Sequence, residues 1–317
     1  MSEYHPFCWV TDYNDQNQVE QCWLGDTTVA LADLDTEDQT VIDYFTTWIK
    51  QLVTDYSVDG LRIDTAKHIR KDFWPVFEAA SGVFCMGEIL DGSVSYNAPY
   101  QEVMSSVLNY PLYYQLGYAF QTVGANLKPL AEIHDQMQTA MKDVTLLGTF
   151  LDNHDQPRYA STVKDIALIA NAFAYPFVSD GIPILYYGQE QGFSGGGDPQ
   201  NREAMWTSKY DTSVIGYKYA RQLNLVRHAA GQADINFYTN KSTIVTTTSN
   251  ELVIKKNGLV SILTNRGSSG SGSVTLPSGT LVEAAKVVDA LTCTSWGTDK
   301  DGGSVVNIQN GQAVVSP

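Results

Sequence analysis

The segment DGLRIDTAKH, residues 59–68, joins the end of an apolar strand pattern to a cluster of charged side chains. Residues two positions apart on a strand share a face, so Arg62 and Asp64 are predicted to point to the same side. Burying an unpaired charge is costly, so that side needs a partner, water or a ligand. Asp64 also lies at the carboxyl end of the strand, which is the edge that carries the chemistry in parallel β/α folds.

Three further apolar segments are strand candidates: GVFCMGEIL at 82–90, LLGTFLDNHD at 146–155 and GIPILYYG at 181–188. Helical patterns lie between the strand candidates. One of them follows Thr36, which we predict as its N-cap because Gln39 stands three residues later and apolar residues then recur at helical spacing. Strands that alternate with helices predict a parallel β/α architecture.

The composition of the chain changes near residue 232. The segments that follow are short, alternate apolar with polar residues and are separated by turn signals at 257–258 (NG) and 266–273 (RGSSGSGS). These signals are typical of hairpins, so we predict an antiparallel β domain over residues 232–317.

Carboxylates end three of the strand candidates: Asp64, Glu88 and Asp155. Glycosidic cleavage uses two carboxylates, one that attacks the anomeric carbon and one that protonates the leaving oxygen, about 5–5.5 Å apart in retaining enzymes. A guanidinium at Arg62 would keep Asp64 ionised, as a nucleophile requires. Alternatively, Asp64 and Asp155 cap the helices that follow, since Asp is a common N-cap. Capping would leave Arg62 unexplained.

The chain of 317 residues is acidic, with a formal net charge of −15, and 43% of its residues are hydrophobic. The hydrophobic content is that of a globular protein. The net negative charge argues against binding to nucleic acid, because phosphate binding needs clustered Lys and Arg, and against binding to anionic membrane surfaces. Cys8 and Cys22 are close enough in sequence to staple a loop in an oxidising compartment. Cys85 lies in an apolar segment and is predicted to be a buried free thiol.

Five ordered motifs resemble signature regions of the α-amylase family, glycoside hydrolase family 13. DGLRIDTAKH, GEIL and FLDNHD resemble its second, third and fourth regions. LADLD at 31–35 resembles a motif of the domain that protrudes after the third barrel strand, and GIPILYYGQE at 181–190 resembles the motif on the eighth strand. Further segments resemble secreted fungal α-amylases of the Taka-amylase type: HPFCWV, QCWLGD, KDFWP, LNYPLYY and DPQNREAMW.

The resemblance implies an α/β fold, the (β/α)8 TIM barrel, followed by an antiparallel β C-terminal domain. Residues 1–36 would end the protruding calcium-binding domain, 37–231 would form the later part of the catalytic barrel, and 232–317 a β-sandwich. The first signature region of the family, which ends in Asn-His, is absent from these 317 residues. We therefore expect only barrel strands four to eight here, with two exposed sheet edges.

The implied activity is that of an α-amylase, the retaining endo-hydrolysis of α-1,4-glucosidic bonds in starch, glycogen and malto-oligosaccharides. Asp64 matches the nucleophile, Glu88 the general acid/base and Asp155 the transition-state stabiliser. The residues that match sugar contacts of the family are Arg62, Lys67, His68, His154, Asp198 and Arg202. Without the resemblance, Asp198 and Arg202 read equally well as a surface ion pair.

The resemblance also implies calcium, bound by the carboxylates of Glu20 and Asp33 and by the backbone carbonyl of His68. Such hard oxygen donors suit calcium. One further family ligand, an Asn, is absent. Cys8 and Cys22 match a family disulfide. We expect an extracellular monomer that binds neither nucleic acid nor membranes, although the first ten residues lack the pattern of a signal peptide.

Two other hypotheses stay open. The 317-residue polypeptide could be a catalytically incompetent fragment, at most an oligosaccharide-binding remnant, because much of the barrel is not encoded. Under that hypothesis the polypeptide alone releases little or no sugar from starch. The chain could also belong to an α-glucosidase or transglucosylase of the same family, since loops decide whether water or a sugar accepts the glucosyl group.

Overall fold

The structure is a computed structural model that describes residues 3–316. These residues form two compact units, which meet in the sequence between Tyr110 and Pro111. Across the described residues, no helix combines the length and the apolarity that crossing a membrane requires.

The first unit contains short antiparallel strands, a parallel sheet and the helices around it. Its helices are α1 (Gln16–Gln21), α2 (Gln39–Tyr56), α3 (Phe73–Ser81) and α4 (Val94–Gln101). Its strands are β1 (Leu24–Gly25), β2 (Ala30–Leu31), β3 (Gly60–Ile63), β4 (Phe84–Gly87) and β5 (Ser106–Val107). A 3-10 segment, Ala66–His68, follows β3.

The parallel sheet of the first unit has the strand order β3-β4-β5. Gly60 pairs with Phe84 and Ile63 with Gly87, so β3 and β4 end at the same level. The ladder continues one step further, because the backbone N–H of Glu88 donates to the carbonyl of Ile63 at 2.8 Å. This register places the residues that follow the two strands, Asp64 and Glu88, side by side.

The predicted alternation along β3 is confirmed. Leu61 and Ile63 are half-buried, whereas Arg62 and Asp64 are exposed. The predicted N-cap of α2 was wrong: the helix begins at Gln39, and Asp38 is its N-cap. The Asp38 carboxylate accepts the backbone N–H of Thr40 at 2.7 Å, which satisfies a donor that the first helical turn leaves free.

The predicted cysteine chemistry is confirmed in the first unit. Cys8 and Cys22 form a disulfide whose Cα atoms are 4.9 Å apart. Cys85 on β4 is a buried free thiol, and burial raises the pKa of that thiol.

The second unit contains two parallel strands, several helices and an antiparallel region. Its helices are α5 (Tyr110–Ala119, which begins on the last residue of the first unit), α6 (Lys128–Ala140), α7 (Tyr159–Thr162), α8 (Ile166–Val178) and α9 (Ile215–Ala233). Its parallel strands are β6 (Gly148–Phe150) and β7 (Ile182–Ile184), and further 3-10 segments are Val144–Leu146 and Met205–Ser208. The last strands are β8 (Thr243–Thr247), β9 (Glu251–Lys256), β10 (Leu259–Thr264), β11 (Gly272–Leu276), β12 (Lys286–Val288), β13 (Ser295–Gly297), β14 (Ser304–Ile308) and β15 (Val314–Ser316).

Within residues 3–316 the parallel strands are β3 to β7, which agrees with the later strands of a β/α barrel. Sequence patterning did not single out β5, because two residues are too few to show a period. Among the described residues, β3 pairs only with β4 and β7 only with β6. The open edges expected at β3 and β7 are therefore present, but β5 and β6 do not pair with each other either, so the five described strands form two separate sheets rather than the one sheet with two edges that was expected.

The C-terminal antiparallel prediction is confirmed. One sheet has the strand order β15-β10-β9-β8, and two antiparallel pairs, β11-β14 and β12-β13, accompany it. The predicted turn at 257–258 joins β9 to β10, and Asn257 there has a φ of +51°. The apolar core of this region consists of Val253, Val260, Ile262, Val274, Leu276, Val306, Ile308 and Val314.

Candidate active site

The guanidinium of Arg62 contacts two carboxylates at the carboxyl ends of β3 and β4, which end in register. The Arg62 Nη1 donates to Asp64 Oδ1, and the Arg62 Nη2 lies 3.3 Å from Glu88 Oε1. Burial opposes the charge of Arg62, but the hydrogen bond to Asp64 and the negative charge of Glu88 raise its pKa. Arg62 therefore stays a cation, and the predicted pairing of Arg62 with Asp64 is confirmed.

The environments of the two carboxylates differ. The Asp64 side chain is 70% exposed, whereas the Glu88 side chain is 8% exposed. Glu88 accepts two further hydrogen bonds, one from the Tyr110 hydroxyl to Oε1 at 3.0 Å and one from the Thr65 backbone N–H to Oε2 at 3.2 Å. An open carboxylate beside an enclosed, hydrogen-bonded one is the arrangement in which two acidic groups take different chemical roles.

Sequence reasoning missed Tyr110 and Thr65. Thr65 has a φ of +47°, a left-handed conformation that is uncommon for a β-branched residue, and this conformation aims its N–H at Glu88. Tyr110 lies within the segment LNYPLYY, which carried the resemblance but gave no sign of its partner.

The capping alternative is not what the structure shows. The N-cap of the 3-10 segment after β3 is Thr65, and the N-cap of α7 is Arg158. Asp64 pairs with Arg62 instead, and Asp155 contacts His154 and a second arginine.

Lys67 and His68 lie on the 3-10 segment that follows Asp64 in the sequence. The Lys67 ammonium donates to the carbonyl of Leu90 at 2.9 Å and lies 5.0 Å from the centre of the Tyr13 ring. Burial lowers the pKa of Lys67. His68 is buried, its Nδ1 lies 2.9 Å from the carbonyl oxygen of Val19, and burial lowers its pKa too.

The predicted calcium ligands carry oxygen donors of the kind that calcium prefers, and the His68 ring contacts the residue that precedes Glu20. Glu20 Oε1 accepts the side-chain N–H of Gln16 at 2.6 Å. Asp33 instead contacts His5, whose Nδ1 lies 2.6 Å from Asp33 Oδ2.

Burial raises the pKa of the Asp33 carboxyl, although the contact with His5 opposes the shift. A nearby cation would offset this cost of burial, so an oxygen-preferring ion suits the carboxylate. His5 also contacts Glu37 through Nε2, at 2.6 Å from Oε2.

Asp155 does not end its strand as predicted, because β6 ends at Phe150 and Asp155 lies on the loop that follows. It is the centre of a charged cluster in the second unit. His154 Nε2 lies 3.3 Å from Asp155 Oδ2, and Arg202 Nη2 lies 3.6 Å from Asp155 Oδ1. The Arg202 Nε also lies 3.3 Å from Asp198 Oδ1. The ion pair between Asp198 and Arg202 that the sequence alone suggested is therefore present, and Arg202 also contacts Asp155.

The backbone around Asp155 is held by side chains that sequence reasoning missed. The Asn153 Oδ1 accepts the backbone N–H groups of Asp155 and Gln156 at 3.1 and 2.9 Å. The Asn201 side chain donates to the carbonyls of His154 and Gln156, each at 2.8 Å. Asn201 belongs to the quoted segment DPQNREAMW, but a contact with residues about 45 positions earlier leaves no local pattern.

Two buried ionisable side chains, Asp152 and Arg158, flank this loop in the sequence. Asp152 is 3% exposed, and burial raises its pKa to about 6, although its Oδ1 accepts the backbone N–H of Tyr159. Arg158 is fully buried, with its Nε 2.6 Å from Glu203 Oε2 and its guanidinium carbon 4.4 Å from the centre of the Tyr186 ring.

Two paired parallel strands followed directly by carboxylates, and an antiparallel β region later in the chain, agree with the class of β/α-barrel glycoside hydrolases. Family comparisons agree with this class. The family described as "Alpha amylase, catalytic domain" matches residues 1–222, and "Alpha-amylase, domain C" matches residues 236–316. The chain therefore belongs to the α-amylase family.

Curated relatives carry the same family name. The chain is 45% identical over 314 residues to Alpha-amylase 2 of Schwanniomyces occidentalis, a match that covers 98% of this chain and 62% of the relative. It is 41% identical over 309 residues to the Alpha-amylase of Saccharomycopsis fibuligera, covering 98% of this chain and 62% of that protein. The chain thus spans less than two thirds of the length of these relatives.

Solved structures show the same fold. The α-amylase from Malbranchea cinnamomea superposes with a TM-score of 0.96 at 39% identity, covering 99% of this chain and 67% of that one. The α-amylase from Geobacillus thermoleovorans, crystallised in complex with acarbose, superposes with a TM-score of 0.86 at 27% identity, covering 99% and 71%.

Proposed function

We propose that this chain carries the catalytic residues of an α-amylase, which cleaves α-1,4-glucosidic bonds inside starch, glycogen and malto-oligosaccharides with retention of configuration. The observation that carries the proposal is the bridge from Arg62 to Asp64 and Glu88 at the ends of two paired strands. The relatives named α-amylase and the neighbour crystallised with acarbose support the same activity and substrate class.

In the proposed reaction, Asp64 attacks the anomeric carbon and forms a glycosyl-enzyme, while Glu88 protonates the departing glycosidic oxygen. Glu88 then takes a proton from the water that hydrolyses the intermediate. Giving up its proton leaves Glu88 negatively charged. Arg62, the Tyr110 hydroxyl and the Thr65 N–H already point at that carboxylate, so the charge develops against prearranged donors.

The remaining candidates are proposed to bind the sugar chain. Asp155 would stabilise the positive charge that develops on the sugar ring, with His154 beside it. Lys67 and His68 would contact the glucose units on the leaving side. Asp198 and Arg202 would contact units further along the non-reducing side.

We propose calcium as the structural cofactor, held by the carboxylates of Glu20 and Asp33 and the carbonyl of His68. Calcium would tie the segment around α1 to the loop that follows β3. The Cys8–Cys22 disulfide supports an oxidising, extracellular compartment. We also propose a monomeric protein with domain limits at 1–36, 37–231 and 232–317.

The test uses a restored protein, in which this chain follows the N-terminal part of the Schwanniomyces occidentalis relative. Asp64→Asn and Glu88→Gln should each lower starch hydrolysis by about a thousandfold or more, as loss of a catalytic group does. Asp59→Asn is the matched control, because Asp59 is an exposed acid on the same segment and should leave the rate unchanged.

Reducing-sugar release measures the rate, and NMR of the first product gives its anomeric configuration. Undiminished turnover in Asp64→Asn or Glu88→Gln would refute the role given to that residue. A first product of inverted configuration would refute the retaining mechanism.

A further inference from the structure

The side chain of Asn201 holds the backbone on both sides of Asp155. Asn201 is 0% exposed, and its Nδ2 donates to the carbonyl oxygens of His154 and Gln156, each at 2.8 Å. These are the residues immediately before and after Asp155. The His154 carbonyl belongs to the peptide unit that precedes Asp155, and the Gln156 carbonyl belongs to the second peptide unit after it, so one amide group holds the backbone on both sides of Asp155.

This segment needs such a donor because it lies outside the helices and strands of the second unit. Backbone carbonyls that turn inward require hydrogen bonds, which neighbouring strands supply elsewhere. Asn201 is itself held, since the Tyr186 hydroxyl donates to the backbone carbonyl of Asn201 at 3.3 Å. The Arg202 Nε adds a bond of 3.1 Å to the His154 carbonyl.

We propose that Asn201 is a positioning residue, which fixes the Asp155 carboxylate for catalysis through the two flanking carbonyls. The inference rests on the proposed function, in which Asp155 stabilises the transition state. The residue type fits the role, because the amide supplies both hydrogens at one nitrogen. An aspartate of nearly the same shape would supply none and would face two carbonyl oxygens with a negative charge.

The competing explanation is that Asn201 only stabilises the fold, and the same unit contains a matched control. Asn171 is also 0% exposed, and its Nδ2 donates to the carbonyls of Ala167 and Gly311 at 2.7 and 2.8 Å. Asn171→Asp therefore removes two equivalent donors at the same burial on α8 and keeps the oxygen that accepts the Thr264 N–H. None of these hydrogen-bond partners lies in the Asp155 loop.

The experiment compares Asn201→Asp with Asn171→Asp in the restored protein, with maltoheptaose as substrate. Because a misplacement of about 1 Å can cost about a hundredfold in rate, Asn201→Asp should lower kcat by about 10- to 100-fold. Its KM should stay within about twofold of the parent. Asn171→Asp should lower the thermal midpoint by a similar amount and leave kcat within about twofold. Equal kcat values for the two variants, or an effect on KM alone, would overturn the inference.

A double-mutant cycle with Asp155→Asn separates positioning from general damage. If Asn201 acts through Asp155, adding Asn201→Asp to Asp155→Asn should lower kcat no further. A second loss as large as the first would show a role independent of Asp155. Should Asn201→Asp fail to fold, Asn201→Ser retains one donor; an intermediate kcat supports positioning, and an unchanged kcat refutes it.

The outcomes for the two proposals differ. An unchanged kcat in Asp155→Asn would contradict the proposed role of Asp155 itself. A large loss in Asp155→Asn, with Asn201→Asp behaving like Asn171→Asp, would contradict only the positioning role of Asn201.

Discussion

The ends of β3 and β4 and the loop that carries Asp155 position their carboxylates by different means. At the strand ends, parallel pairing sets the backbone, and a single guanidinium joins Asp64 to Glu88. At the loop, side-chain amides from Asn153 and Asn201 replace the strand ladder. The comparison teaches that the face each strand residue takes can be read from local sequence, whereas the structure of a loop held by a distant side chain cannot.

The largest expected effect concerns the sheet on which the strand-end region depends. Within the described residues β3 and β7 each have an unpaired edge, and a barrel requires closure of its sheet. A polypeptide of these 317 residues alone should therefore hydrolyse starch at less than about 1% of the rate of the restored protein. Reducing-sugar assays at equal concentrations measure this ratio, and comparable rates would show that the described strands suffice.

The second effect is a pH dependence of stability caused by Asp152, which lies three residues before Asp155 in the sequence. Burial raises the pKa of Asp152 to about 6, above its value in an unfolded chain. The folded state therefore binds the proton more tightly, and the resulting stability is fully present below about pH 4 and lost as the pH rises through about 6. Asp152→Asn removes this dependence.

The stability of Asp152→Asn relative to the parent should rise by about 3 kcal/mol between pH 4 and pH 7, since each pKa unit corresponds to about 1.4 kcal/mol. Urea unfolding of both proteins at several pH values measures the difference. Asp299→Asn provides the comparison at an acid outside the loop. A difference that does not change with pH would rule out a raised pKa at Asp152.

The smallest effect tests the bridge at the strand ends. Lysine retains the charge of Arg62 but offers one ammonium in place of a planar fork, so it cannot contact Asp64 and Glu88 in the same geometry. Arg62→Lys should lower kcat by about 10-fold, while the exposed control Arg221→Lys should not change it. Equal kcat values for the two variants would show that the charge alone suffices.

Much of the fold could be predicted from local patterns. The alternation along β3, the parallel strands at 82–90, 146–155 and 181–188, and the turn at 257–258 all appear in the structure. The two-residue strand β5 was missed because it is too short to show a period. The N-cap of α2 was misplaced by two residues because several adjacent polar side chains could serve.

The candidate site was predictable only in part. The pairing of Arg62 with Asp64 followed from their separation of two residues on a strand. The contacts of Glu88 with Tyr110 and Thr65 did not, since one joins residues 22 positions apart and the other depends on a left-handed backbone. The contacts of Asp33 with His5 were equally invisible in the sequence.

By itself, the sequence determined the class of this protein and the identity of its three candidate carboxylates, because hydrophobic period and ordered motifs are local properties of the chain. Only the tertiary structure decided how those carboxylates are held. It showed that Glu88 is enclosed while Asp64 is open, and that Asn201 holds the backbone before and after Asp155 through the carbonyls of His154 and Gln156. A hydrogen bond from one polar side chain to a distant backbone group follows no repeating pattern, so the sequence does not show it.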